Sequence, residues 1–108
     1  MAYDEGLAFR VESLMSKETD IISQKMFGGI GYLSNGNMTC GIFEDFLIVR
    51  VGPELYQQSL KSKHVKEFDI TGKAMNGWVM VDSPGISEDE DLLEWVKKGL
   101  SFGRSLSD

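Results

Sequence analysis

The segment from Lys25 to Val51 is rich in apolar residues and is interrupted by two turn signals. Asn35-Gly36 favours a two-residue type I′ hairpin turn, because both residues tolerate positive φ angles. Glu44-Asp45 predicts a second tight turn, although it contains no glycine. The segment therefore predicts three consecutive antiparallel strands, with Tyr32 opposite Thr39.

Alternation along these strands sorts the side chains onto two faces. The face expected to pack against helices carries Phe27, Leu33, Met38, Cys40, Ile42, Leu47, Val49 and Val51. The opposite face is expected to carry Met26, Ile30, Tyr32, Thr39, Phe43, Phe46, Ile48 and Arg50. This second face is also largely apolar, which is unusual for a sheet face in contact with water.

Three helices are predicted around this sheet. Leu7, Val11, Leu14 and Met15 form an apolar stripe over residues 4–15, with Asp4 as the N-cap. Phe9 lies off that stripe and is expected to be exposed or to touch a partner.

The later part of the chain contains two more helix starts and two more strands. Gly52-Pro53 predicts the start of a second helix, since proline suits the first helical position. Val65–Ile70 and Trp78–Val81 predict the fourth and fifth strands. Ser87-Glu88-Asp89-Glu90 has the pattern of a capping box at the start of the last helix.

The predicted fold class is α+β, with the element order α-β-β-β-α-β-β-α and a five-stranded antiparallel sheet. The predicted architecture has two layers, in which the helices cover one face of the sheet. A length of 108 residues predicts a single domain over residues 1–108.

Composition argues against several classes of protein. The formal net charge is −6, whereas nucleic-acid binders usually carry a basic surface. No apolar run approaches the roughly 18 residues of a membrane span, and the acidic N-terminus is unlike a signal peptide. We therefore expect a cytoplasmic protein with no membrane partner.

The chemistry-bearing residues predict no catalytic site, no metal and no cofactor. Cys40 lies on the predicted core face, where a buried and inert thiol is expected. His64 lies among lysines, so a solvated side chain is favoured over a general base. A metal site over Glu88–Asp91 is the alternative to helix capping, and capping accounts for each of these residues.

The chain resembles the TfoX N-terminal-domain family in a set of segments that together cover essentially its whole length. These segments are Met1-Ala2-Tyr3-Asp4-Glu5-Gly6-Leu7-Ala8, Lys25-Met26-Phe27-Gly28-Gly29, Asn35-Gly36-Asn37-Met38, Val49-Arg50-Val51-Gly52-Pro53-Glu54, Gly77-Trp78-Val79 and Gly99-Leu100-Ser101-Phe102. The resemblance implies a fold similar to that of type III secretion chaperones, and no catalytic residues.

The resemblance also implies a role in regulation. TfoX/Sxy proteins regulate natural competence, together with the cyclic-AMP receptor protein at promoters. They carry a second, helical C-terminal domain, so a chain ending at Asp108 is expected to be a stand-alone N-terminal domain. The predicted function is a non-catalytic regulatory, protein-interaction domain; the alternatives are a direct nucleic-acid-binding regulator and a small enzyme.

The open sheet face supplies the predicted interaction site. Self-association, as a homodimer, or binding of a protein partner such as the transcription machinery is expected there, because so large an apolar patch exceeds what monomers usually expose. The predicted site residues are Met26, Ile30, Tyr32, Phe43, Phe46, Ile48 and Arg50. Arg50 is expected beside Tyr32 and Thr39, either in an internal salt bridge or free to recognise an acidic group of a partner.

Overall fold

The computed structural model describes residues 3–26, 28–69 and 72–106. In chain order the elements are α1 (Glu5–Leu14), β1 (Ile21–Met26), β2 (Gly29–Ser34), β3 (Asn37–Phe43), β4 (Phe46–Arg50), α2 (Pro53–Leu60), β5 (Val65–Glu67), β6 (Trp78–Val81), a short 3₁₀ helix (Ser83–Ile86) and α3 (Asp89–Ser105). The α+β class, the three helices and the antiparallel sheet agree with the prediction.

The sheet has six strands in the order β1-β2-β3-β4-β6-β5, and each neighbouring pair is antiparallel. The prediction of five strands is wrong, because it begins the sheet at Lys25, whereas Ile21–Met26 form a separate strand before the three that the sequence predicts. A tight turn separates β1 from β2: Met26 pairs with Gly29, and Gly28 has a φ of 79°. Phe27 and Ile70, predicted to lie in strands, are outside the described residues.

The register between β2 and β3 changes at a β-bulge. Leu33 pairs with Met38 as predicted, but Tyr32 then pairs with Cys40 instead of Thr39. Thr39 is the extra residue, and its hydroxyl donates to the carbonyl oxygen of Tyr32 at 2.8 Å. A bulge of this kind reverses the facing of one strand relative to its neighbour.

All three helices contribute to one core on one face of the sheet. That core contains Leu7, Ala8, Val11 and Met15 of α1, Tyr56 of α2, Leu92, Trp95 and Val96 of α3, and Ile30, Tyr32, Cys40, Ile42, Leu47, Val49, Val79 and Val81 of the strands. We call this side the covered face and the other side the open face.

The helix termini confirm two of the predicted caps and contradict the third. The Asp4 side chain accepts a hydrogen bond from the backbone of Leu7, and Pro53 is the first residue of α2. At α3, however, the N-cap is Glu88, and the Ser87 hydroxyl donates to the carbonyl oxygen of Pro84. The predicted capping box is wrong, since Ser87 belongs to the end of the preceding 3₁₀ helix.

An ionic network fastens the end of α3 to the start of the sheet. Arg104 donates to both carboxylate oxygens of Asp20, at 3.0 and 2.8 Å, and also to Glu18. The Ser34 hydroxyl donates to Asp20 as well. The hydrogen bonds from Arg104 and Ser34 hold the pKa of Asp20 well below its usual range. Within the described residues, no helix is both long enough and apolar enough to span a bilayer.

Candidate interaction site on the open sheet face

The open face is apolar along most of the sheet. Strand alternation and pairing place on it Ile22, Gln24 and Met26 of β1, Gly31 and Leu33 of β2, Met38, Gly41 and Phe43 of β3, Phe46, Ile48 and Arg50 of β4, Trp78 and Met80 of β6, and Lys66 of β5. Among the described residues, the core that the helices share with the sheet lies on the covered side, and α3 reaches the open face only at its end, where the Phe102 ring contacts Arg50. The first property of the site is therefore a broad apolar surface without a helical layer.

Two glycines determine how the methionines lie on this face. A Cβ atom at Gly31 would approach the methyl groups of Met26 and Met38 at 3.1 and 3.2 Å. A Cβ atom at Gly41 would lie 2.8 Å from the Met38 methyl group and 2.7 Å from the backbone oxygen of Ile30. The missing side chains thus make room for the two methionines against the sheet.

The segment after β5 folds back over the open face and completes a cavity. The backbone nitrogen of Met75 donates to Phe68, and the nitrogen of Trp78 donates to Met75. The rings of Phe68 and Trp78 contact each other, with 5.8 Å between their centroids. The resulting cavity of about 290 Å³ is lined by Met26, Gly29, Ile30, Met38, Ile42, Phe43, Ile48, Phe68, Met75 and Trp78.

The chemistry of this cavity is uniform. Each lining residue is apolar or glycine, and methionine contributes three of them. Methionine side chains are flexible and polarizable, so they can adapt to apolar groups of different shapes. The cavity is suited to an apolar group and offers no side chain that could perform acid–base or nucleophilic chemistry.

The charged strand residues on the open face are both basic. The guanidinium carbon of Arg50 lies 5.1 Å from the ring centroid of Trp78 and 5.5 Å from that of Phe102. The Lys66 ammonium lies 4.6 Å from the centroid of Phe46. Among the described residues Arg50 forms no salt bridge, so its expected internal carboxylate partner is replaced by two aromatic rings.

Five of the predicted site residues lie on the open face as expected. Met26, Phe43, Phe46 and Arg50 are half-buried there, and Ile48 is 3% exposed. The predicted row of Arg50, Tyr32 and Thr39 does not form, because the bulge at Thr39 separates Arg50 from the other two.

Ile30 and Tyr32 are corrections to the predicted site. They are 8% and 1% exposed and belong to the core of the covered face. Tyr32 donates its hydroxyl to Glu12 of α1 at 2.8 Å, and its burial, together with this carboxylate, raises the pKa of Tyr32. Thr39 is also buried on the covered side, whereas Met38, predicted for the core, lines the open-face cavity.

The sequence prediction missed six cavity residues: Gly29, Met38, Ile42, Phe68, Met75 and Trp78. A signal was present in β6, where Trp78 and Met80 alternate with Val79 and Val81, so both faces of that strand are apolar. Phe68 was placed in the predicted fourth strand, Val65–Ile70, but the observed strand ends at Glu67. Met75 lies in the connection between β5 and β6, where no periodicity indicates which way its side chain points.

Cys40 and His64, the two residues considered as reactive groups, lie in surroundings that do not indicate a catalytic role. Cys40 is fully buried, and this burial raises the pKa of its thiol to about 12, which keeps it protonated and inert. His64 is half-buried, with its Nδ1 atom 3.1 Å from a carboxylate oxygen of Asp82. Both residues lie outside the open-face cavity.

A second, larger depression of about 530 Å³ lies between the start of α2 and α3. Its lining includes Glu54, Glu94 and Lys97, and the side chains of all three are exposed. A groove of mixed, solvated charges gains little from burying an apolar partner, because desolvating those charges is costly. The smaller open-face cavity is therefore the better candidate site.

The sequence matches the model of the TfoX N-terminal domain family over residues 13–103. The chain belongs to this family. Parallel comparisons with curated proteins and with solved structures give no match. The matched range of the TfoX N-terminal domain contains the described part of each of the six strands and the cavity they form on the open face.

Proposed function

We propose that this TfoX N-terminal domain is a non-catalytic regulatory domain that binds a protein partner through its open sheet face. The observation that carries the proposal is the apolar cavity of about 290 Å³ on a sheet face that no helix of the described chain covers. An apolar groove that is rimmed by charged residues on a folded domain is typical of an interaction site.

The size and lining of the cavity favour a protein side chain over a small-molecule ligand. Sites for small molecules usually enclose about 300–1,000 Å³ and contain a few placed polar groups that fix orientation. This cavity lies at the lower limit of that range, and its lining contains no polar side chain. It matches instead the pocket that receives a large apolar anchor at the centre of a protein interface.

The charges around the cavity indicate the chemistry of the partner. Arg50 and Lys66 are the charged strand residues on the open face, although the protein as a whole carries a net charge of −6. A partner segment with a large apolar residue flanked by Asp or Glu would satisfy both the cavity and its basic rim. The net acidity argues against direct nucleic-acid binding, and the proposal includes a cytoplasmic location and no membrane partner.

Peptide display against the full chain tests this proposal. We expect enriched peptides to carry a large apolar residue next to Asp or Glu and to bind Phe43→Lys at least about tenfold more weakly than the wild type. Phe9→Lys is the matched control, since Phe9 is 71% exposed on α1, on the covered side. Circular dichroism checks that both variants fold.

Failure to enrich peptides, or equal binding to Phe43→Lys and the wild type, would contradict the proposal. The family resemblance makes the transcription machinery, and the cyclic-AMP receptor protein in particular, the first natural partner to test with the same two variants. A regulatory role requires that such a complex be weakened by Phe43→Lys and retained by Phe9→Lys.

A further inference from the structure

The two edges of the sheet differ in how well they are protected against further strand pairing. At one end, β5 has only three residues, Val65–Glu67, and two of these are charged. At the other end, β1 has six residues, Ile21–Met26, paired with β2 on one side in an unbroken register. Its inner four residues are exposed, including Ile22 at 70%.

Natural proteins usually protect a sheet edge by short strands, prolines, bulges or charges. Strand β1 contains no proline and no bulge, and its one charged residue is Lys25. A long, regular and largely uncharged edge presents a row of backbone donors and acceptors to any strand that matches it. The question is which strand matches it.

We propose that the strand that covers β1 is β1 of a second copy of this chain, paired antiparallel about a two-fold axis at Gln24. This register places Ile22 opposite Met26 of the second copy on the open face. It places Ser23 opposite Lys25 of the second copy on the covered face. Apolar residues meet apolar residues, and the lysine meets a small polar side chain.

The neighbouring registers match less well. An axis at Lys25 sets the two lysines directly against each other, which is destabilising. An axis at Ser23 sets Ile22 against Gln24. In a further register, with Ser23 opposite Gln24, the covered face of one copy lies on the same side as the open face of the other. This register sets Ile22 against Lys25.

Charge complementarity supports the register centred on Gln24. A small depression of about 190 Å³ on the covered side is lined by Glu12, Met15, Glu18, Ile21, Ser23 and Tyr32. Because Ser23 borders this depression, Lys25 of the second copy, which lies opposite Ser23, brings its ammonium group near Glu12 and Glu18. Glu12 accepts one hydrogen bond, from Tyr32, and Glu18 is also paired with Arg104, so Glu12 is the main partner for the lysine. The two-fold axis creates this contact twice and so offsets the repulsion between two copies of net charge −6.

The resulting dimer has one continuous sheet of twelve strands, with the helices of both copies on the same side. The two open faces then lie side by side, and Ile22 of each copy extends the apolar surface next to Met26 of the other. The inference is independent of the protein partner proposed above, because it depends on the sheet edge and leaves the cavity free.

The interface consists of one strand pair and, on each side of the axis, one contact between Lys25 and the acidic depression. Such an interface is small, so we expect the fraction of dimer to depend on protein concentration. Sedimentation of the full chain from about 1 μM to about 1 mM covers the range of dissociation constants that such interfaces show. We expect a monomer–dimer equilibrium that weakens as salt is added.

Charge reversal separates this dimer from other forms of association. Lys25→Glu places a carboxylate near Glu12 and Glu18 of the second copy. We expect the dissociation constant of the dimer to increase about tenfold. The double variant Lys25→Glu, Glu12→Lys restores the pairing of opposite charges and should recover the dimer. Lys61→Glu, the same charge change at an exposed residue near the end of α2, is the matched control.

Hydrogen exchange supplies a readout that does not depend on any variant. In the wild type, amide protection over 21–26 should rise with protein concentration, while protection of β5 should not. A chain that stays monomeric up to about 1 mM, or a dimer that Lys25→Glu leaves intact, overturns the proposal. A dimer without concentration-dependent protection of β1 overturns it as well.

Discussion

The covered and open faces of the sheet are built from the same strands but filled by different kinds of side chain. On the covered face, Leu47, Val49, Val79 and Val81 are fully buried under the helices. On the open face, the neighbouring positions hold Phe46, Ile48, Trp78 and Met80, with methionines seated over glycines. Branched aliphatic residues have few rotamers and pack in one way, whereas methionine and aromatic residues adapt to new contacts.

This difference suggests that the covered face stabilises the fold and that the open face is available for binding. The covered face is locked by packing, by the bulge at Thr39 and by the network around Arg104, so it determines the fold. Within the described residues the open face has no helical layer: Ile48 and Met80 are buried there, whereas Met26, Met38, Phe43 and Phe46 stay partly exposed, so we expect it to contribute less to stability. Substitutions at equivalent positions on the two faces should therefore have unequal effects on the free energy of unfolding.

The largest difference is expected between two adjacent residues of β4. Leu47 is fully buried on the covered face, and Leu47→Ala should lower the free energy of unfolding by about 3 kcal/mol through the cavity it leaves. Phe46 is half-buried on the open face, and Phe46→Ala should cost only about 1 kcal/mol. Urea unfolding followed by circular dichroism measures both values. Equal costs would show that the open face is as firmly packed as the covered face.

The covered face was also the part that the sequence predicted best. Cys40, Ile42, Leu47, Val49 and Val51 were assigned to it correctly, because alternation holds from Cys40 through the Glu44-Asp45 turn to Val51. Leu33 and Met38, on the other side of the bulge, were assigned to it wrongly and lie on the open face. The helices and the limits of β6 also followed from local patterns. Local periodicity is sufficient where one face of an element is buried and the other is not.

The parts that the sequence did not predict depend on distant contacts or on exposure. The bulge at Thr39 is stabilised by α3: a Cβ atom at Gly103 would lie 2.6 Å from the Thr39 methyl group, so the bulged residue fits only beneath a glycine some sixty positions away. Nothing near Thr39 in the sequence signals this, and the missed bulge moved Ile30 and Tyr32 to the wrong face. Strand β1 was missed because an exposed edge strand has no buried side to impose alternation.

Glycine-to-alanine substitutions on the two faces are expected to change the free energy of unfolding by less than Leu47→Ala does. A Cβ atom at Gly99 of α3 would lie 3.0 Å from the backbone carbonyl carbon of Thr39 and closer still to its oxygen, so helix and sheet must move apart. We expect Gly99→Ala to cost about 2 kcal/mol, since overpacking outweighs the better helix propensity of alanine. Gly31→Ala meets only the methyl ends of Met26 and Met38, which can shift, and should cost less than about 1 kcal/mol. Thermal unfolding of the two variants distinguishes them; a larger loss for Gly31→Ala would contradict the adaptability of the open face.

The smallest effect concerns the ionic network that fastens α3 to the covered side, because partly exposed ion pairs contribute less than buried side chains. The pKa of Asp20 is lower in the folded chain than its usual value of about 3.8, owing to Arg104 and Ser34. A carboxyl group with a depressed pKa stabilises the fold fully above its usual pKa and loses that contribution as the pH falls below it. The free energies of unfolding of the wild type and Arg104→Met should therefore differ by a constant amount near neutral pH and converge below about pH 4. Asp20→Asn, which is similar in shape and uncharged at every pH, should remove the same pH-dependent part. Curves for the wild type and Arg104→Met that stay parallel down to pH 3 or so would show that Arg104 acts through packing instead of through the charge of Asp20.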